Sequence, residues 1–213
     1  MDTLRTFIAI EIPADIRRRI KQHIDHLRSA FPDVRASWTR EDNLHLTLKF
    51  LGNVAVARMP ALSNAVAEAA HEINPFDLII SGCGTFRPHG RPKVLWIGVS
   101  SQADSDVLPN SAIRDPKSAI SDLPPSPLPL SSLHLALEDH CATAGFEREP
   151  RAFHPHLTIA RLRDSKGTRA LAEHHGQLGF PPQAFTVSEL VVFRSELSSK
   201  GSKHTALARH ELG

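Results

Sequence analysis

The sequence predicts an α+β fold of one domain, residues 1–213, in which a similar order of elements runs twice. Three observations predict it. Short runs rich in β-branched and aromatic residues alternate with stretches whose apolar residues recur every three or four positions. A histidine followed by an apolar residue, a threonine and another apolar residue stands at His45-Leu46-Thr47-Leu48 and again at His156-Leu157-Thr158-Ile159. Each copy lies in a strand-like run within its own half of the chain, so the halves read as a pseudo-duplication.

Taken in order, Thr6 to Ile12 has the apolar, β-branched character of a buried strand. Pro13 suits the first turn of a helix, and Ile16, Ile20, Ile24 and Leu27 then recur at helical spacing. Arg17, Arg18, Arg19 and Lys21 lie elsewhere around that helix and read as its solvated face rather than an RNA contact. Val34 to Trp38 is a short strand, Glu41-Asp42-Asn43 a turn, and the first histidine strand closes at Gly52-Asn53. Leu62, Val66, Ala69 and Ile73 mark a second helix after Pro60, stopped at Asn74-Pro75. Phe76 to Phe86 and Lys93 to Val99 are strands joined by a turn rich in proline and glycine. Residues 101–130 hold Pro109, Pro116, Pro124, Pro125, Pro127 and Pro129 among many serines, which predicts a mobile surface insertion. Leu133, Leu137 and Cys141 suggest a helix ending at Gly145. After the second histidine strand come a helix at Thr168 to Gln177, a strand across Phe185 to Phe193, and a last strand over His204 to His210.

Bulk properties bound the function. A hydrophobic share of 41%, a charged share of 23% and a net charge of +2 describe an ordinary globular chain with no demand for a polyanionic partner. Cys83 and Cys141 are too few for a disulfide framework, which suits a reducing cytoplasm. No apolar run approaches the roughly 20 residues that cross a membrane, and the chain opens on a strand pattern rather than a signal peptide.

The two motifs carry the chemistry. Side chains alternate faces along a strand. His45, Thr47 and Lys49 therefore share one face and Leu46, Leu48 and Phe50 the other, while His156 and Thr158 sit opposite Leu157 and Ile159. Histidine exchanges protons near neutral pH. A neutral imidazole can take a proton from water while a protonated one gives a proton to a leaving oxygen. Thr47 and Thr158 can donate hydrogen bonds to non-bridging phosphate oxygens, and Lys49 can add positive charge. Phosphodiester cleavage needs these parts, and needs no metal when ring closure already activates the ester. One such motif alone is more often a structural histidine; two in matching contexts favour the catalytic reading. A metal site built from His154, His156 and His45 is the weaker alternative, because no cysteine pair or His–Glu spacing reinforces it. His23, His26, His71, His89, His174, His175, His204 and His210 have no motif around them and read as surface or capping residues. Trp38 and Trp96 read as core. With no tyrosine and 6% aromatic residues, the chain does not resemble a base-stacking surface.

At these residues the chain resembles the two-histidine (2H) phosphoesterase superfamily, and within it the RNA 2′,3′-cyclic phosphodiesterases, also called 2′-5′ RNA ligases. The likeness rests on Thr6 to Pro13, Glu41 to Gly52, Val94 to Val99, Phe153 to Arg161 and Arg194 to Leu197, which span nearly the whole chain apart from the insertion. It implies two pseudo-twofold-related lobes whose antiparallel sheets line a central groove. It implies hydrolysis of RNA 2′,3′-cyclic phosphate ends to 2′-phosphates without a metal or other cofactor; a monomer in the cytoplasm is the accompanying expectation. His45 would be the proton donor and His156 the acceptor, with Thr47 and Thr158 holding the phosphate. Arg161 matches a family arginine near the phosphate, although strand parity opposes it to His156, so it must lie beyond a bulge or the strand end. Ligation would be the same chemistry with an RNA 5′-hydroxyl in place of water, and would be reversible. The competing expectations are a phosphodiesterase acting on a small cyclic nucleotide or a 2′-5′ oligonucleotide, and a non-catalytic module that binds RNA ends.

Overall fold

The computed structural model describes residues 2–100, 128–163, 166–198 and 201–213. Among these described residues, nine strands and four α-helices run in the order β1 (Thr3–Glu11), α1 (Ala14–Ala30), β2 (Ala36–Trp38), β3 (His45–Ala55), α2 (Met59–His71), β4 (Phe76–Phe86), β5 (Val94–Ser100), α3 (Leu128–Thr143), β6 (His156–Leu162), α4 (Thr168–Leu178), β7 (Gln183–Val187), β8 (Glu189–Ser198) and β9 (Gly201–Glu211). A single 3₁₀ turn, Glu41–Asn43, delivers the chain into β3. No helix among the described residues is long and apolar enough to cross a membrane.

The helices form where the periodic residues stand. Ile16, Ile20, Ile24 and Leu27 are all buried along one face of α1, whereas Arg18, Arg19 and Lys21 are exposed. Leu62, Ala65, Val66, Ala69 and Ala70 bury the inner face of α2. Burying an isoleucine or leucine side chain fully is worth ~1.5–3 kcal/mol relative to leaving it in water, so these faces dominate the docking of each helix.

The strands make two sheets, antiparallel at every pairing: β3-β1-β8-β9 and β2-β6-β5-β4-β7. Helices α2 and α3 pack together, touching β8, β9 and β3, while α4 lies on β4. His23 of α1 reaches His175 of α4, so these two helices back the second sheet. Ile8, Ile10, Leu46 and Leu48 of the first sheet and Leu95, Ile97, Leu157 and Ile159 of the second bury their side chains in one continuous core. The opposite sheet faces, which no described helix covers, form the groove side. The histidine strands belong to different sheets, yet β3 touches β6 where the sheets approach.

Two elements differ from the expected ones. The run from Phe185 to Phe193 is not one strand. It breaks at Ser188, β7 pairing with β4 in one sheet and β8 with β1 and β9 in the other. The carbonyl of Ser188 accepts the Leu212 amide, which closes the corner. The first sheet thus joins the first and last strands of the chain, and the sheets do not correspond to sequence halves. Most of the proline- and serine-rich stretch lies outside the described residues. Its last three residues, 128–130, already belong to α3, where Leu130 is fully buried in the core rather than in a surface segment.

Candidate active site

His45 is the first residue of β3 and His156 the first of β6. Each ring hydrogen-bonds to the backbone two residues earlier. The His156 Nδ1 lies 2.7 Å from the His154 carbonyl oxygen. A carbonyl can only accept, so Nδ1 carries the hydrogen and Nε2 presents its lone pair. His45 makes the corresponding bond to the Asn43 backbone. Asn43 is itself fixed across the sheet, its Nδ2 donating to the Ser202 carbonyl at 2.8 Å.

Each imidazole rests on aromatic rings. His45 stacks on Phe7 with ring centroids 4.7 Å apart, and Phe193 lies 6.1 Å away. Phe7, Ala9, Val191 and Phe193 form a small apolar cluster of their own on the groove side of the first sheet. His156 meets the edge of Phe86 at 4.8 Å, and Phe86 packs on Trp96 at 5.7 Å. Gly84 makes that arrangement possible: a Cβ there would stand 2.0 Å from the Trp96 ring. Burial holds both imidazoles below their usual pKa. His45 falls to about 4, through burial first and then the neighbouring His204, against the opposing Asn43 bond. His156 is lowered by burial, opposed by the His154 bond, with the Arg161 charge adding to the lowering. Both shifts favour the neutral imidazole at neutral pH.

Thr47 and Thr158 follow their histidines on the same, partly exposed face. The Thr39 hydroxyl donates to the Thr158 carbonyl at 2.8 Å, tying β6 to the segment after β2. Directly after each threonine the strand bulges. Across β1, Ala9 faces Thr47 but Ile8 faces Lys49, so Leu48 is an extra residue. Across β5, Trp96 faces Thr158 but Leu95 faces Ala160, so Ile159 is an extra residue. A bulge reverses the alternation of faces beyond it. Arg161 is thereby exposed on the face of His156, in the position the family likeness requires, and close enough for its charge to act on that ring.

The same reversal corrects Lys49. It does not share the face of His45 and Thr47; it is 2% exposed and points into the core side. Its ammonium lies 2.8 and 2.7 Å from the two carboxylate oxygens of Glu138 and 2.7 Å from the Glu147 carbonyl. All three of its donors are spent on that bond set, so it braces β3 against α3 and has nothing to offer a groove phosphate. The residue on the groove side is Phe50, 56% exposed.

Sequence reasoning missed His204. It faces Ser195 across β8 and β9, and its ring stands 5.1 Å from His45 and 4.9 Å from Phe7. No local pattern marks it; only the register of a strand far along the chain brings it there. Among the described residues, His45, His154 and His156 do not gather as a three-ligand metal cluster.

Comparison with known proteins places the chain in a family. The family model described as "LigT like Phosphoesterase" matches residues 10–96 and 123–203. An Escherichia coli K12 protein named RNA 2′,3′-cyclic phosphodiesterase is 29% identical, the match covering 98% of this chain and 96% of that one. A protein of the same name from Geobacillus stearothermophilus is 27% identical over 97% of this chain, which spans only 57% of that longer relative. The crystal structure of E. coli LigT complexed with 3′-AMP superposes with a TM-score of 0.66 at 26% identity, covering 99% of both chains.

Proposed function

Because the chain belongs to the LigT-like phosphoesterase family, we propose that it hydrolyses the 2′,3′-cyclic phosphate at the end of an RNA to a 2′-phosphate by acid–base catalysis between His156 and His45, without a metal in the reaction. One observation carries this reading: each imidazole opens a strand of its own sheet, is pinned to the backbone two residues earlier, and has a threonine beside it on the same face. The names of the relatives support the substrate class.

The steps follow from the tautomer. The free Nε2 of His156 takes a proton from water, and the water oxygen bonds to phosphorus. The bond from phosphorus to the 3′-oxygen breaks, and His45 delivers a proton to that oxygen, leaving a 2′-phosphate beside a 3′-hydroxyl. A phosphodiester anion seated between the rings favours the charged form of His45, raising its pKa from about 4. Thr47 and Thr158 donate hydroxyl hydrogen bonds to the non-bridging oxygens, and Arg161 supplies positive charge. With an RNA 5′-hydroxyl in place of water, the same steps form a 2′-5′ linkage, and their reverse cleaves it back to the cyclic phosphate.

Product analysis on an RNA ending in a 2′,3′-cyclic phosphate tests the proposal. A 2′-phosphate product in the presence of chelator is expected, and His45→Ala or His156→Ala should each lower the rate by ~10²–10⁴. A 3′-phosphate product reverses the leaving-oxygen assignment. Faster turnover of small cyclic nucleotides moves the substrate class, and wild-type rates in both variants reduce the groove to a binding site.

A further inference from the structure

A second cluster of chemistry-bearing side chains lies on the other side of the second sheet, between the helices that back it. His23 of α1, Cys83 of β4 and His175 of α4 bring one nitrogen, one sulfur and one nitrogen within 4.8 Å of one another. The His23 Nε2 is 3.0 Å from the His175 Nδ1, and the Cys83 Sγ is 3.8 Å from the same His23 nitrogen. We propose that these three side chains form a binding site for a zinc-like divalent ion that staples α1 and α4 to β4, separate from the catalytic groove.

The local structure builds this convergence. Ser81 faces Gly98 on the groove side of the sheet, and Gly82 is an extra residue with φ +68°. Cys83, facing the buried Ile97, is thereby swung to the helix side. His175 has no exposed surface, and its Nε2 lies 3.0 Å from the Trp96 carbonyl oxygen. That nitrogen must carry the hydrogen, which leaves the Nδ1 lone pair aimed at His23 and Cys83. An imidazole oriented through its other nitrogen by a backbone carbonyl is the usual arrangement behind a metal-bound histidine. His23 and Cys83 are half-buried, so an ion can enter from their side.

The donor set fits a borderline ion. Tetrahedral zinc with nitrogen at about 2.0–2.1 Å and sulfur at about 2.3 Å sets its ligands about 3.3–3.6 Å apart. The observed 3.0 and 3.8 Å need shifts of a few tenths of an ångström, and the remaining pair, Cys83 with His175, lies within 4.8 Å and closes by up to about an ångström on binding. Thiolate and imidazole together select zinc over calcium or magnesium, which take oxygen ligands. On binding, the Cys83 thiol loses its proton to solvent, the His23 proton moves from Nε2 to Nδ1, and water takes the fourth position. Without an ion, burial pushes the Cys83 thiol up to about 12, so it is not a reactive thiolate.

Titration of chelator-stripped full-length protein with Co²⁺ alone tests the site. Expected are one equivalent bound, a thiolate-to-cobalt charge-transfer band with the strong visible bands of tetrahedral cobalt, displacement by Zn²⁺, and a rise in Tm on adding Zn²⁺. Cys83→Ser and the half-exposed His23→Gln should each abolish the bands and the Tm rise, whereas His156→Ala should keep them. The proposal is overturned if no thiolate band appears, if it survives Cys83→Ser, or if His156→Ala removes it. Hydrolysis by the stripped protein at temperatures where it stays folded is expected to persist, so this site and the proposed activity stand or fall separately.

Discussion

The two histidine strands share one burial pattern over six residues and differ in side-chain chemistry at the last two. In β3 the order is His45, Leu46, Thr47, the bulged Leu48, the buried Lys49 and the exposed Phe50; in β6 it is His156, Leu157, Thr158, the bulged Ile159, the buried Ala160 and the exposed Arg161. The backbone device is the same, and the residues beyond it are not. The first copy spends its cation inside, on a carboxylate under the sheet, and shows the groove a phenyl ring. The second closes its inner side with a methyl group and shows the groove a guanidinium. Duplicated backbone therefore carries an unduplicated groove, with one cationic wall beside His156 and one aromatic wall beside His45. Under the proposed function, that asymmetry favours one orientation of a substrate charged at its phosphate and flat at its base.

The largest effect should come from the buried side of this comparison. Lys49 and Glu138 have side-chain exposures of only 1% and 6%, so removing one leaves the other as a buried charge without its counter-ion. Glu138 also accepts the Glu149 amide at 3.1 Å, so its loss of charge balance would reach the loop before β6. Lys49→Ala is expected to destabilise the fold by ~3–5 kcal/mol in urea unfolding, while activity per folded molecule changes little. Replacing both partners together with apolar residues of like volume should recover most of that loss. An unaltered unfolding midpoint for Lys49→Ala, paired with a raised KM, would return Lys49 to the groove.

That correction marks where the sequence stops being legible. Alternation identifies Leu46, Leu48, Leu157 and Ile159 as core, and helical spacing identifies Ile16, Ile20, Ile24 and Leu27, because in each case burial follows from the local period alone. A bulge does not follow from it. Leu48 and Ile159 are extra only in relation to the partner strands β1 and β5, and nothing in their own neighbourhood announces it. The likeness to a family asked for Arg161 on the face of His156, which parity denied it, and the bulge at Ile159 turns it to that face. The division at Ser188 is hidden for the same reason, since both sides of it are good strand sequence and only the partner strands differ. His204 and His175 are hidden more deeply, because each acquires its neighbours from a strand or helix more than a hundred positions away.

The exposed side of the comparison predicts a smaller, divided effect. Arg161→Ala removes the charge that the proposed function sets beside the phosphate, and a hydrogen bond to a charged group is worth ~1.5–3 kcal/mol. Its kcat/KM should fall by about one to two orders of magnitude, whatever base precedes the cyclic phosphate. Phe50→Ala removes a ring on which a base can stack, worth ~1–3 kcal/mol at most. Its effect should fall on KM and vary with the terminal base, leaving kcat nearly unchanged. If the two variants show the same dependence on the base, the division of labour between the walls is wrong.

The smallest effect concerns the neighbour that only His45 possesses among the two catalytic candidates. His204 lowers the His45 pKa by its charge, and His204 is itself lowered by burial. Replacing His204 with glutamine removes that charge and keeps a polar side chain of similar size, so the proton on His45 becomes easier to hold and its pKa rises from about 4. A donor that must be protonated then remains competent to higher pH, and the alkaline limb of kcat/KM assigned to it should move up. The limb assigned to His156 should stay in place, because His204 is not among the groups whose charges act on that ring. Following both ring resonances by NMR titration separates the two: in His204→Gln the His45 midpoint moves to higher pH while the His156 midpoint does not. A shift of both midpoints together would mean that the change loosened the whole groove, and an unmoved His45 midpoint would leave burial alone as the cause of its low pKa.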